Sequence, residues 1–373
     1  MAPGWAGRVE RVSEHRPEDD LEAGVEGWLG AIGAAPRRAE LTTVGVREAV
    51  IHHGQHFERF AGLEPDSPYE WGGFQLRTLP ARGELLTSFA TVNDVHFGEE
   101  VCGLISGSDI GPVFRSEPGE PPYPEVMNRG AVAEMVERDP AAVVVKGDLT
   151  SNGTVGEYDA FRSLYEPAFG DRLVVVRGNH ESYHRAPFAA EPFQLRDLPG
   201  VRLAVLDTSI DGGVAGTLSA DQLEWLDTVT AEADRPVLVF GHHPIGDRLS
   251  SEAADRDFGI DVEVSELLLQ LAARRPLFAG YFAGHTHRNR VRRFASSGEV
   301  PWVEVACVKD YPGAWAEYLV HEGNIVQVMH RVSTPEALAW TDRTRHMYEG
   351  LYHDYALGSL ADRCFSIVPR TRS

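Results

Sequence analysis

Asp, Asn and His residues of this chain gather in five short motifs: Asp94-Val-His96, Gly147-Asp148, Gly178-Asn179-His180-Glu181, Gly241-His242-His243-Pro244 and Gly284-His285-Thr286-His287. Carboxylate, amide and imidazole together make an oxygen and nitrogen donor set suited to Mn, Fe or Zn, without the thiolates of a structural zinc site. One such motif carries little weight, because Asp-x-His and Gly-Asp occur by chance in chains of this length. The five together point to a metal site. Asp94 and His96 are two apart, so on a continuing strand they would face the same way and one metal could take both; His285 and His287 repeat that spacing.

Four of the motifs directly follow apolar runs, which places their polar side chains at the carboxyl ends of strands, where open α/β sheets hold ligands. Such runs occur at 88–92, 142–146, 173–176, 203–206, 236–240 and 277–283. Between them lie helix-like stretches, the clearest at 219–227, where Ser219 and Gln222 have the spacing of a capping box. This alternation predicts an α/β sheet layered on both faces. After Pro301 strands return at 302–306, 315–320 and 325–329, with Glu322-Gly323-Asn324 as a hairpin turn, and are expected to complete a second sheet. Short β-type runs at 41–46, 49–53 and 71–79 suggest a small β-sandwich-like module, similar to fibronectin type III but short beside the ~100 residues typical of one. The expected organisation is an extension over 1–36, this module over 37–84, a metal-binding domain over 85–333 and an aromatic docking tail over 334–373.

A chain of 373 residues, 43% of them hydrophobic, can bury a sizeable core. Its formal charge of −21, from 56 acidic against 35 basic residues, disfavours nucleic acid and anionic membrane surfaces. A small-molecule substrate is the natural expectation. Residues 1–30 hold no apolar core of a signal peptide, and nothing approaches the roughly eighteen apolar residues of a membrane helix. Cys102, Cys307 and Cys364 are too few for a disulfide framework. These features predict a soluble cytoplasmic protein.

In type and order the motifs resemble those of the calcineurin-like metallophosphoesterase superfamily, whose pattern is Asp-x-His, Gly-Asp, Gly-Asn-His-Asp/Glu, His and Gly-His-x-His. The resemblance covers roughly Phe89 to Arg290. It implies a four-layer α/β/β/α sandwich and two divalent metal ions (Mn, Fe or Zn). By the same resemblance Asp94, His96 and His287 bind the first metal and Asn179, His242 and His285 the second, with Asp148 bridging them. His243 could replace His242 as a ligand, but the resemblance favours His242. His180 is implied as the histidine outside the metal shell, protonating the leaving oxygen, and Asn179 as a further stabiliser of the phosphoryl oxygens. Two metals roughly 3.5–4 Å apart can hold a bridging hydroxide, since a metal lowers the pKa of bound water from 15.7 to about 7. That hydroxide would attack phosphorus in line with the leaving oxygen.

Finer features resemble the class III cyclic-nucleotide phosphodiesterase branch: Leu149 to Gly153 with Glu157-Tyr158 after the bridging Asp, and Gly216-Thr-Leu218 with Gln222 to Leu226 before Gly-His-His-Pro. Purple acid phosphatases are similar in carrying a β-module before the catalytic domain, but have a tyrosine three residues after the bridging Asp. Ser151 stands there, so ferric-tyrosinate chemistry is not implied. Asn93 stands where this branch often has Ser or Thr, and Glu181 where Asp is commoner. The expected function is hydrolysis of a small phosphodiester, such as a 3′,5′-cyclic nucleotide. The alternatives are a phosphomonoesterase acting on nucleotides or phosphometabolites, and a non-catalytic scaffold of the same fold.

Other residues invite weaker readings. His52, His53 and His56 form a cluster, but alternation turns His52 and His53 to opposite faces, favouring a solvated or edge position. Arg288 and Arg290 could reach a substrate phosphate or serve as surface ion-pair partners. Cys102 is expected to be a buried packing residue, and Asp207 to line the cleft rim or cap a turn.

Overall fold

Alternation of apolar side chains sorts each central strand between two cores. The computed structural model describes residues 11–13, 39–104, 110–251, 255–256 and 258–371. Most of the expected 1–36 extension lies outside the described residues.

The first sheet is antiparallel, in the order β1-β4-β3-β2, and contains β1 (Arg11–Ser13), β2 (Glu40–Val44), β3 (Glu48–His53) and β4 (His56–Ala61). A hairpin of β5 (Pro68–Trp71) and β6 (Phe74–Arg77) follows. Val44, Ala49, Ile51, Phe60 and Leu76 share one small core, closed by Trp71 stacked on Phe60 at 4.4 Å. β4 escapes a reading by apolar runs because His56, Glu58 and Arg59 interrupt the pattern.

The α/β part begins with β7 (Leu85–Val92), α1 (Tyr123–Arg138), β8 (Val143–Lys146), α2 (Val155–Phe169), β9 (Leu173–Val176) and α3 (Asn179–Tyr183). It continues through β10 (Phe193–Leu198), β11 (Val201–Leu206), α4 (Ala220–Glu232), β12 (Val237–Phe240), α5 (Val262–Arg274) and β13 (Phe278–Ala283). The remaining elements are β14 (Arg290–Arg293), β15 (Pro301–Glu304), β16 (Ala314–His321), β17 (Ile325–Arg331), α6 (Pro335–Thr344), α7 (Tyr352–Leu357), α8 (Leu360–Arg363) and β18 (Cys364–Ile367). They build two six-stranded sheets, β18-β17-β16-β7-β8-β9 and β10-β11-β12-β13-β15-β14. β7, β8 and β9 run parallel, as do β11, β12, β13 and β15.

The two sheets pack face to face. In β8, Val144 joins the core between the sheets while Val143 and Val145 face α1 and α2. In β12, Leu238 and Phe240 enter the inter-sheet core while Val237 and Val239 face α4 and α5. Period-two strands covered on both faces therefore yield α/β/β/α layers. Each fully buried Val, Leu or Phe contributes about 1.5–3 kcal/mol, so the inter-sheet core and the helix-covered cores together anchor the strand ends. α4 starts at an N-cap Ser219 whose hydroxyl accepts from the Gln222 N–H, completing the capping box read from sequence. Glu322-Gly323-Asn324 turns β16 into β17, with the His321 N–H donating to Asn324 O at 2.8 Å.

The N-terminal sheet docks on the β17 side of this body: Thr43 Oγ1 donates to Met329 O at 2.8 Å, and Arg363 Nη2 to Leu41 O at 2.8 Å. The aromatic tail closes over α1 and β16, where Tyr123 stacks on Trp340 at 4.2 Å. His52 is buried, with Nδ1 2.7 Å from Thr42 Oγ1 and Nε2 3.1 Å from Ser333 Oγ, so it is not the solvated side chain expected from sequence. His53 faces the other way and is exposed. Among the described residues no helix is long and apolar enough to cross a membrane.

Candidate metal centre

The motif residues sit just past the carboxyl ends of β7, β8, β9, β12 and β13. Asp94 and His96 do not lie on a continuing strand, however. β7 ends at Val92, and both residues have left-handed backbones, with φ of 53° and 48°. Asp148, His285 and His287 share that conformation at φ 49°, 67° and 55°. Non-glycine residues in this region are strained by about 1–3 kcal/mol each, and such strain clusters at functional sites. What places Asp94 and His96 in one site is thus the turn of the backbone rather than strand alternation.

Pairing between the loops holds that backbone. The Asp94 N–H donates to Gly147 O at 3.1 Å and the His96 N–H to Asp148 O at 2.8 Å, while the Gly284 N–H donates to His242 O at 2.9 Å. The Asp94 carboxylate accepts the His285 N–H at 3.1 Å, and Asp148 Oδ1 accepts the His180 N–H at 3.0 Å. Two glycines are required by close approach: a Cβ on Gly147 would press into the His242 ring, and one on Gly178 into the Asp148 backbone and carboxylate.

Seven side chains converge. Asp148 Oδ2 lies 3.5 Å from His96 Nε2 on one side and 3.3 Å from His242 Nε2 on the other. Asp94, His96 and His287 form one cluster, with His287 Nε2 3.5 Å from Asp94 Oδ1. His242 Nε2 is 2.9 Å from Asn179 Oδ1, and the His242 and His285 rings meet at 5.1 Å. His180 stands at the edge of the site, with Nε2 3.9 Å from Asp148 Oδ2 and a quarter of its side chain exposed.

These residues fit a metal. Among the described residues, both ring nitrogens of buried His96 and Nε2 of His285 have no hydrogen-bond partner, which leaves their lone pairs available to a cation. Burial pushes His96 well below the ordinary histidine range and His285 down to about 3, so both rings are neutral donors. Burial raises Asp148, but His242 and then His180 outweigh it and hold the carboxyl well below its usual range. For His242 burial works downward while Asp148 raises it to about 9, the reciprocal side of one tightly coupled pair. His242 Nδ1 donates to Lys146 O at 2.8 Å, leaving Nε2 toward the cluster. His243 has both nitrogens engaged, Nδ1 with Thr208 Oγ1 at 2.8 Å and Nε2 with Val214 O at 3.0 Å. His243 also lies beside His242 and His285, its ring 4.6 Å from that of His285, but both of its nitrogens already have these partners, whereas His242 Nε2 faces Asp148.

Several supporting contacts lay beyond sequence reasoning. Glu181 ties two loops: Oε1 accepts from Thr150 N and Oγ1 at 2.8 and 2.6 Å, and Oε2 from Gly178 N at 2.8 Å. Lys146 is fully buried and donates to Ala283 O at 2.9 Å, joining β8 to β13 across the sheets. Burial lowers its pKa to about 7. Asp310 lies behind His287, 4.0 Å from Nδ1, and accepts from Tyr352 Oη at 2.6 Å and Cys307 Sγ at 2.9 Å. Tyr183 Oη is 2.6 Å from His180 Nδ1, a contact signalled only by the three-residue spacing on a short helix.

Arg288 and Arg290 are not surface ion-pair residues: they are held in a largely buried network with Asp255 and Glu304, at distances of 2.6–2.9 Å. Asp207 caps a turn through the Ser209 N–H at 2.9 Å and pairs with Arg177 at 2.7 Å. Cys102 is buried and free, and burial pushes its thiol far up.

Comparison with known proteins agrees with this architecture. A dimetal phosphatase from Danio rerio superposes with a TM-score of 0.53 at 16% identity, covering 66% of this chain and 97% of that one. A cAMP/cGMP dual specificity phosphodiesterase of Mycobacterium tuberculosis is 32% identical over 162 residues, 40% of this chain and 49% of the relative. A 3′,5′-cyclic adenosine monophosphate phosphodiesterase of Pseudomonas aeruginosa is 29% identical over 198 residues, 49% of this chain and 68% of the relative. The chain spans about half the length of the first curated relatives it matches, between 44% and 56%. The calcineurin-like phosphoesterase family model matches residues 87–289, which hold every one of the converging side chains, and the chain belongs to that family.

Proposed function

We propose that this protein is a two-metal phosphoesterase acting on a small phosphodiester, with 3′,5′-cyclic nucleotides as the favoured substrate class. One observation carries the reading: a buried, ionised Asp148 flanked by His96 at 3.5 Å and His242 at 3.3 Å, with unpartnered imidazole nitrogens around it. The cyclic-nucleotide preference draws support from the names of the relatives from M. tuberculosis and P. aeruginosa. Asp94, His96 and His287 would hold one ion and Asn179, His242 and His285 the other, with Asp148 common to both. The oxygen and nitrogen donors suit Mn, Fe or Zn. Two such ions would supply a water activated for attack on phosphorus and positive charge against its oxygens.

The chain's own residues supply the rest. The Asp94 and Asp148 carboxylates, each fixed by a backbone N–H from a neighbouring motif, keep the donors in place without reorganisation. His180 Nδ1 donates to Ser151 O at 2.8 Å, which turns Nε2 toward the space beside Asp148. From there it delivers a proton to the departing oxygen.

The test is a screen of metal-depleted, Mn-reconstituted protein against cyclic nucleotides, bis(p-nitrophenyl) phosphate and p-nitrophenyl phosphate. Diester turnover above monoester turnover is expected, and absence of both would sink the proposal. His180→Ala should slow diesters with poor leaving groups by about 10²-fold or more and activated nitrophenyl esters much less. Equal losses on both would argue against proton donation.

A further inference from the structure

We infer that Tyr183 is a positioning residue for His180, fixing the ring so that Nε2, and only Nε2, faces the reacting phosphoester. The inference rests on the phosphoesterase reading above for its catalytic consequence, though not for its geometry. His180 and Tyr183 lie on α3 three residues apart, which stacks their side chains on one face of a single helical turn. The rings approach at 5.0 Å, and Tyr183 Oη comes within 2.6 Å of His180 Nδ1. The same nitrogen lies 2.8 Å from the Ser151 carbonyl oxygen.

These two contacts determine where the protons sit. A carbonyl oxygen only accepts, so Nδ1 must carry hydrogen and donate to Ser151 O. The phenol oxygen, on the same nitrogen, accepts a share of that proton in a three-centre bond, and its own hydrogen points away from the ring. Burial, then the carboxylates of Asp148, Glu181 and Glu99, push the Tyr183 phenol up, so it stays neutral and does not become a second anion beside the site. Ser151 O alone is one hinge point about which the imidazole can swing. Adding Tyr183 Oη gives a second, and the ring plane is fixed.

The need for two anchors follows from exposure. His96, inside the cluster, is held by packing on all sides, whereas His180 is a quarter exposed and meets His96 only edge-on, at 4.5 Å. A proton donor must lie within hydrogen-bond reach of the leaving oxygen, and small misplacements of a catalytic group cost large factors in rate. In the step itself the Nε2–H bond breaks and a bond from that hydrogen to the departing oxygen forms. The ring keeps its Nδ1 proton throughout, because two acceptors hold it.

Tyr183→Phe removes the phenol oxygen and keeps the ring, so the fold is preserved. In Mn-reconstituted protein the variant should lose about tenfold in rate on diesters with alkyl leaving groups and less than about twofold on bis(p-nitrophenyl) phosphate. In a His180→Ala background it should cost nothing further, because the side chain it positions is gone. Imidazole 15N–1H NMR gives a readout without turnover: the His180 Nδ1–H signal, assigned by its loss in His180→Ala, should broaden by solvent exchange in Tyr183→Phe. Equal loss on both esters, an added loss in the His180→Ala background, or an unchanged Nδ1–H signal would each overturn the inference. If wild-type protein turned over neither ester, the phosphoesterase reading would fail, and the NMR comparison would still decide the positioning of the ring.

Discussion

Asp148 carries more of the site than any other single side chain. It is 2% exposed, ionised, within 3.5 Å of histidines from two motifs, and bonded to the backbone of a third. Asp148→Asn keeps the shape and removes the charge, so under the two-metal proposal it should weaken binding of both ions together, by at least about hundredfold, and abolish turnover. Titration calorimetry of the metal-free protein with Mn checks this, and a variant that keeps one tight site would show that Asp148 is not shared. At this scale the residues that the structure brings together were legible from residue type and order. Their backbone conformation was not: nothing in Asp-Val-His announces a left-handed φ at both ends, because that strain is imposed by pairing with the Gly147-Asp148 loop.

At the scale of elements, β14 and β15 brace the loop that carries His285 and His287. Glu304 on β15 is 1% exposed, and takes Arg288 at 2.9 Å, Arg290 at 2.7 Å and the Thr286 hydroxyl at 2.8 Å. Burial raises its pKa, but Arg288, Arg290 and Arg292 outweigh it and leave it lowered. Glu304→Gln leaves buried guanidinium groups short of a counter-charge and should cost about 3 kcal/mol in denaturant unfolding. A change under about 0.5 kcal/mol would show that Asp255 alone suffices for the arginines. The arginines were visible in sequence as a basic run after His287, but their partners Asp255 and Glu304 come from a separate helical segment and a strand. Only the fold brings them together.

At the scale of the whole molecule, Glu40 links the N-terminal sheet to the central sheet and the tail. It accepts from Arg331 at 3.2 Å, and from Arg345 and His353 at 2.7 Å each. The hydrogen bond to Glu40 raises the pKa of His353 against an opposing burial effect. A raised histidine contributes its full stabilisation below the unfolded value of about 6.5 and loses it as pH climbs through the folded value. Burial pushes Glu40 up, but His353, Arg331 and Arg345 outweigh it, so its share is present above the ordinary glutamate value and lost as pH falls through the lowered one. The gap in unfolding midpoint between wild type and His353→Gln should therefore be widest between those limits and shrink as pH rises above about 6.5. A gap constant from mildly acidic to alkaline pH would overturn the linkage.

What the sequence determined by itself was the chemistry and the layer order. Donor types and apolar runs at strand period are local properties, and they suffice to predict a metal site at the carboxyl ends of an α/β sheet; the resemblance carried by the order of the motifs added the phosphoester chemistry and the four layers. The tertiary structure alone decided the conformations and partnerships: the left-handed turns that aim Asp94 and His96, the carbonyl and phenol that hold His180, the buried Lys146 joining the sheets, and the inward turn of His52. Each depends on groups distant in the chain meeting at short range, where hydrogen-bond geometry and desolvation act and where periodicity along the sequence carries no information.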